Sequence, residues 1–269
     1  MSDVGSLSAS YSSYTSSSAS TQASAQQLSS GQRISSAAGD AAGMAIGSRM
    51  SAQLGGMDMA ARNSMDGVSM VQTASGALDT LTSNMSRMRE LAVQAGNGIL
   101  NDSDRAAIQS EINQLNEQNN SLLEDANYNG QALFQNSQPM QLQTGPNAGD
   151  TTELATGDLL QTLKDSGVFS LDVSSSDAAS MSLSTLDLAL SQVSEQQSGL
   201  GALSNRLDSN LDNLAERRLN TAAAQSRIMD TDIAKAASEW SSSQIKDQMQ
   251  LAMQAQANAH AGDMLQLLG

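Results

Sequence analysis

Cysteine is absent from this 269-residue chain, so neither a disulfide framework nor thiol chemistry is open to it. Proline occurs twice and histidine once. With a single histidine and no cysteine, a zinc site of the usual ligand set cannot be assembled, and His260 reads as a surface or seam residue of a helix. Aromatic residues make up 2% of the chain: one Trp, three Tyr and two Phe. A thick core normally leans on large aromatic side chains. Burial here must come from Leu, Met, Ile, Val and Ala, which suits thin helical bundles. Basic residues are scarce as well, with 13 Lys and Arg against 28 Asp and Glu and a formal net charge of −15. Such a chain repels nucleic acid and anionic membranes, and opposes its own association until salt screens it. No run approaches the roughly 20 apolar residues of a membrane span. No basic segment followed by an apolar run marks an ordinary signal peptide near the start.

Motifs of catalysis are missing too. There is no HExxH sequence, and Gly199-Leu200-Gly201 lacks the Gly-Lys-Ser/Thr that completes a phosphate loop. The carboxylates are dispersed along helical patterns, where pairs such as Asp212 and Glu216 fit a solvated face. The reading is therefore a non-enzyme, with no catalytic residue, no metal and no cofactor.

What the chain does have is heptad rhythm. Leu7, Tyr11, Tyr14, Ser18, Thr21, Ala25 and Leu28 step by 4 and 3 through a Ser-rich stretch, giving a seam with small residues at its middle. Gly31, Gly39 and Gly43 interrupt the pattern and suggest a connector, with Gly31 just past a helix end. A long helical pattern from about Met57 to Ala95 carries Leu78, Leu81 and Met85. The next carries Ile112 and Leu115 from a cap at Asp102 or Ser103 to about Asp125. Asn129-Gly130 is a tight-turn signal. The stretch from about Gln131 to Ser176 reads as a β-hairpin with loops. The clearest heptads follow: Leu183, Leu186, Leu190, Val193, Gln197, Leu200, Ser204, Leu207, Leu211 and Leu214. A break near Asp230 or Thr231 precedes a last helix, from about Ile233 to Leu268, that holds Trp240. The predicted fold is mainly α: an elongated helical rod with long heptad-patterned coiled-coil helices from both termini and a small β-hairpin region in the middle.

At these residues the chain resembles bacterial flagellins across nearly its whole length. The strings that carry the resemblance are "QLSSGQRISSAAGDAAGMAI", "ARNSMDGVSMVQTASGALDTL", "MRELAVQAGNG" and "IQSEINQLNE" in the first half. In the second half they are "LGALSNRLDSNLDNL", "SRIMDTDIAKAASEWSSSQI" and "MLQLL". The start "SDVGSLSAS", the pair Ala38-Gly39 and the end Leu267-Leu268-Gly269 depart from the usual family pattern.

The resemblance implies a subunit that self-polymerises into the flagellar filament used for swimming or swarming, in a minimal form with few or no outer surface domains. It assigns residues 1–32 to an N-terminal inner-tube helix, 33–50 to a connector and 51–130 to the N-terminal helices of an outer-tube domain. Residues 131–178 become the β-hairpin and loop region, 179–226 the C-terminal outer-tube helix and 227–269 the C-terminal inner-tube helix. The implied inner-tube seam uses Leu7, Tyr11, Tyr14, Leu28, Ile233, Trp240, Ile245, Leu251, Leu265 and Leu268. The outer-tube core uses Leu78, Leu81, Met85, Ile112, Leu115, Leu190, Leu207 and Leu211. Arg87, Leu91 and Glu111 match positions where family members touch either a neighbouring subunit or the flagellin-sensing Toll-like receptor.

Implied partners are other copies and other flagellins, an export chaperone at the C-terminal helix, and the filament cap and hook-junction proteins. The implied location is the extracellular filament, reached by type III export. Two alternatives share the terminal helices: a hook–filament junction protein, and a cell-surface flagellin homologue acting as a binding protein.

Overall fold

Helices form wherever the 3-and-4 spacing is sustained, and the computed structural model describes residues 18–136, 138–154 and 157–268, with side chains up to residue 260. Leu7, Tyr11 and Tyr14 lie outside the described residues, and Leu265 and Leu268 lie where the backbone alone is described. The order is α1 (18–30), α2 (Ala41–Ala95), α3 (Asp102–Asp125), a hairpin of β1 (Asn127–Tyr128) and β2 (Gln131–Ala132), and a second hairpin of β3 (Met140–Gln143) and β4 (Thr151–Leu154). Then come α4 (Leu159–Asp165), a 3-10 turn at Val168–Ser170, α5 (Ser176–Met229) and α6 (Ile233–Leu268). Packing divides the chain into two units, Gly55–Arg218 and, separately, Met1–Leu54 with Leu219–Gly269.

In the first unit, the heptads of α5 bury one position in seven almost completely: Leu186, Val193, Leu200, Leu207 and Leu214 are at most 3% exposed. The alternate heptad positions Leu183, Leu190 and Leu211 are half-buried. On α2 the matching stripe is Leu78, Leu81, Met85, Met88, Leu91 and Ala92, all buried. Polar clamps flank this apolar seam. Arg89 donates to Asp187 at 2.7 Å, Gln197 to Asp79 at 2.9 Å and Asn210 to Ser64 at 3.3 Å. Position numbers rise on α5 as they fall on α2, so these helices run antiparallel. Helix α3 packs against the same stripe through buried Ile112 and half-buried Leu115. Buried Asn119 accepts from Asn84 at 2.8 Å and donates to the Met88 sulfur at 3.4 Å.

Arg105 closes this end of the unit. Its guanidinium is buried and donates to three backbone carbonyls, Ala95 at 3.1 Å, Asn97 at 2.9 Å and Leu100 at 2.7 Å. These are oxygens that the end of α2 and its following loop leave without helical partners. Ser176 adds a bond to Gly96 O at 3.0 Å. The extended segment after the 3-10 turn is held by one side-chain amide: Gln109 donates to Leu171 O at 2.9 Å and accepts from Val173 N at 2.7 Å.

Several expectations at the helix ends change in detail. The cap of α3 is Asn101, which forms a reciprocal capping box with Asp104, rather than Asp102 or Ser103. The cap of α6 is Asp232, accepting from Lys235 N at 3.1 Å, rather than Asp230 or Thr231. Helix α4, capped by Asp158, was not read from the sequence. Helix α2 starts at Ala41, well before Met57, although it contains Gly43, Gly47, Gly55 and Gly56. Three of these permit close approach. A Cβ at Gly43 would meet Ile34, at Gly47 the Met229 side chain, and at Gly56 Pro146. Tertiary packing therefore overrides the helix-breaking signal. The turn reading at Asn129-Gly130 is borne out, with φ of 51° and 77° as a two-residue hairpin requires.

Replacing Arg105 with Ala removes the side-chain donor from three carbonyls and opens a buried site, though Asn97 O keeps the Leu100 N–H. We expect a loss of about 3 kcal/mol in the unfolding free energy of the Gly55–Arg218 unit, measured by urea denaturation followed by circular dichroism, with the midpoint falling and the slope unchanged.

Candidate functional site: the seam of the chain ends

The Leu-poor, Ser-rich sequence around residue 20 can pack only against a helix that tolerates small side chains, and α6 supplies one. Helix α1 ends at Gly31, whose φ of +68° and bond from its N–H to Gln27 O at 2.9 Å make a left-handed C-terminal cap. The chain then meets the break between α5 and α6. Gln32 and Asp230 form an antiparallel bridge, in which Arg33 N donates to Met229 O at 2.7 Å and Thr231 N donates to Gly31 O at 3.0 Å. The Arg33 guanidinium donates to Ile228 O, and Gln27 donates to Arg33 O at 3.1 Å. Ile34, Met229 and Ala236 are buried around this junction, against Gly43 and Gly47 of α2. The two interruptions of the helical pattern thus satisfy each other's backbone groups.

From the bridge, α1 and α6 run alongside, tied by Thr21 Oγ1 donating to Asp247 at 2.8 Å. The half-buried positions of α1 are Ser18, Thr21, Ser24, Gln27 and Leu28, with Ala25 turned outward. On α6 they are Trp240, Ser243, Asp247, Gln250 and Gln254, below buried Ala236. These follow a 3-and-4 rhythm, yet Leu28 and Trp240 are the large apolar members. The other large apolar side chains described on α6 point away. Ile233, Ile245, Met249, Leu251 and Met253 are 50–68% exposed, and Ile245, Met249 and Met253 recur every four residues on one face. A soluble monomer rarely leaves such a stripe open unless something covers it.

The other predicted positions divide clearly. Leu78, Leu81, Met85, Ile112 and Leu207 are buried in the Gly55–Arg218 unit, and Leu115, Leu190 and Leu211 are half-buried. Arg87 and Glu111 meet on its surface, with guanidinium nitrogens 3.0 and 3.2 Å from one carboxylate oxygen and a further contact to Glu90 at 3.1 Å. Glu111 and then Glu90 raise the Arg87 pKa above its ordinary value. The group is solvated, so the pair contributes little to stability. Leu91 lies beneath it, 2% exposed, in the core. His260 is exposed. Among the described residues no group of His, Cys, Asp or Glu is clustered to hold a metal ion, and no helix is long and apolar enough to cross a membrane.

Residues 2–139 match the family model described as the bacterial flagellin N-terminal helical region, and residues 183–268 match the bacterial flagellin C-terminal helical region. Similar proteins include the flagellin of Halalkalibacterium halodurans, 40% identical over 237 residues that cover 88% of this chain and 87% of the relative. The flagellin of Bacillus subtilis is 35% identical over 269 residues, with 88% of each chain covered. The flagellar filament core protein flaB2 of Brachyspira hyodysenteriae is 36% identical over 253 residues, again with 88% of each covered. Among solved structures, Bacillus cereus flagellin superposes with a TM-score of 0.52 at 28% identity, covering 61% of this chain and 94% of that one. A putative flagellar hook-associated protein from Vibrio parahaemolyticus gives 0.60 at 15% identity over 71% of this chain and 100% of its own, a likeness of fold.

Exchanging Gly47 for Leu drives a side chain into the space that Met229 occupies. The amides of Arg33 and Thr231 are then expected to exchange with deuterium at least about tenfold faster, while those of α3 keep their wild-type protection.

Proposed function

This chain belongs to the bacterial flagellin family, and from that membership we propose that it self-polymerises into the flagellar filament that drives swimming or swarming. The observation that carries the reading is the division of labour on α6. The face toward α1 is small and polar, while Ile245, Met249 and Met253 form an apolar stripe with no partner in its own chain among the described residues. Neighbouring copies that cover this stripe would bury, for each such side chain, about 1.5–3 kcal/mol of transfer free energy. That offsets the entropy of ordering the chain ends, about 1–2 kcal/mol per backbone residue. In this reading the inner-tube seam comprises Leu7, Tyr11, Tyr14, Leu28, Ile233, Trp240, Ile245, Leu251, Leu265 and Leu268.

The same stripe needs cover before assembly. An export chaperone bound at α6 would supply it, as an amphipathic helix is held in an apolar groove. Type III export without a cleaved leader, and contacts with the filament cap and hook-junction proteins, complete the proposal. Arg87 and Glu111 lie on the surface and are proposed as a contact for a neighbouring subunit, and for the flagellin-sensing Toll-like receptor when the chain is free. Leu91 would support that contact from beneath.

The test is electron microscopy of purified protein after seeding and added salt, with the full chain beside a fragment of residues 46–227. Full-length chain is expected to form tubes and the fragment to remain dispersed. A full-length chain that stays monomeric at every salt and seed concentration would overturn the proposal.

A further inference from the structure

The acidic balance of the chain leaves few cations unengaged, and two of those collect at one groove. Within the Gly55–Arg218 unit, Arg87, Arg89, Lys164 and Arg218 face carboxylates, and Arg105 is held by carbonyls. Arg206 and Arg217 have no carboxylate at ion-pair distance among the described residues, and both line a groove of about 410 Å³. Arg206, Asn210, Asn213 and Arg217 step by 4, 3 and 4, so they share one face of α5. The two arginines are separated by about 16 Å along the axis. Asp208 and Asp212 stand off this stripe.

The opposite wall is the turn between β3 and β4. It is fastened down at its centre, where Asn210 donates to Thr144 O at 2.8 Å. The one carboxylate lining the groove is bonded within the turn: Asp150 accepts from Asn147 N at 3.1 Å and from Asn147 Nδ2 at 3.0 Å. Gly145 lies close against Asp150, and a Cβ there would come within 2.5 Å of the Asp150 side chain. These bonds hold the Asp150 carboxylate to the turn, where it makes no ion pair with either arginine among the described residues, so the groove carries one negative charge beside two exposed guanidiniums and keeps a positive balance.

The other end of the same unit has the reverse character. The first turns of α3 and α5 and the loop before α5 carry Asp102, Asp104, Asp177 and Asp172 there, and the one cation among them, Arg105, is buried under its three carbonyls. Ile99, in the loop before α3, is 90% exposed. Among the described residues, one end therefore offers two cations without an ion-pair partner, and the other carries carboxylates without one around an open apolar side chain, Asp104 and Asp172 being held by the backbone N–H groups of Asn101 and Ser174. Opposed surfaces of this kind, on one molecule, make a head-to-tail contact that propagates instead of closing.

We propose that the Arg206–Arg217 groove receives the Asp102 and Asp177 end of a second copy of this chain, with Ile99 buried at the contact. The proposal rests on the filament reading and specifies one of its joints. Guanidinium groups suit carboxylates because they present paired donors in a fixed plane. Complementary ends also set the order and polarity of addition, which charge does better than it adds raw affinity.

The experiment measures critical concentration by sedimentation of seeded full-length protein across a salt series. Arg206→Gln with Arg217→Gln is expected to raise it roughly tenfold, while the thermal midpoint of the free subunit stays at the wild-type value. Charge reversal gives a second, independent arm. A chain with Arg206→Glu and Arg217→Glu, and another with Asp102→Lys and Asp177→Lys, are each expected to assemble poorly alone. Mixed, each supplies the end that the other's groove requires, and assembly is expected to recover. Variants that polymerise at the wild-type concentration, or a mixture no better than its components, would overturn the groove assignment and leave the filament reading standing. Failure of the wild-type chain to polymerise under any condition would remove both.

Discussion

The interaction on which the rest depends is the antiparallel contact of α2 with α5 within Gly55–Arg218. Leu186, Val193, Leu200, Leu207 and Leu214 repeat every seven residues, so each turn pair of α5 offers one side chain that must disappear from water. The stripe from Leu78 to Met88 shares their core from Leu186 to Leu200, Leu207 lies by Gly67, and Met57 and Ala60 receive Leu214. Once this seam is chosen, the flanking polar pairs can form in only one register, because Arg89, Asp79 and Ser64 must each meet a specific partner on α5. Everything smaller hangs on it. The second hairpin is tethered through Asn63 to Gln143 O and through Asn210 to Thr144 O, one anchor from each helix.

Much of this was legible in the sequence because it is written in periodicity. The heptads of α5, the span of α3, the Asn129-Gly130 turn and the full extent of α6 all follow from spacing and turn chemistry. What was hidden depends on contacts between distant segments. Gly43 read as an interruption, yet it and the glycines at 47 and 56 each lie where another segment presses against α2. Helix α4 is seven residues long, too short for periodicity to speak. Caps moved by one or two positions because Asn101 and Asp232 compete with equally good neighbours, and the choice is made by where the preceding chain arrives. Of the chain-end seam, the rhythm was visible but its sidedness was not. Ala25 was expected inward and Ser24 takes that place, because nothing local separates two small residues one position apart.

Low aromatic content has a structural counterpart in how the two units spend their apolar residues. The Gly55–Arg218 unit holds a continuous apolar core, with Phe134 and Leu163 fully enclosed. The terminal unit does the opposite, placing Ser, Thr and Gln between its own helices and turning Ile and Met outward. The two units thus differ in what lies between their helices, leucine and methionine in one and small polar side chains in the other. A net charge of −15 makes any approach of two copies sensitive to screening by salt.

One placement gives this molecule an optical property. Trp240 is the sole tryptophan, and it is half-buried on α6 at the polar seam with α1. The Gly55–Arg218 unit holds Tyr128 and two phenylalanines and no indole. Long-wavelength ultraviolet emission therefore originates wholly from the terminal unit. Its colour tracks the wetness of a single helix face, undisturbed by the larger core, so the protein carries its own reporter of solvent at the α1–α6 seam.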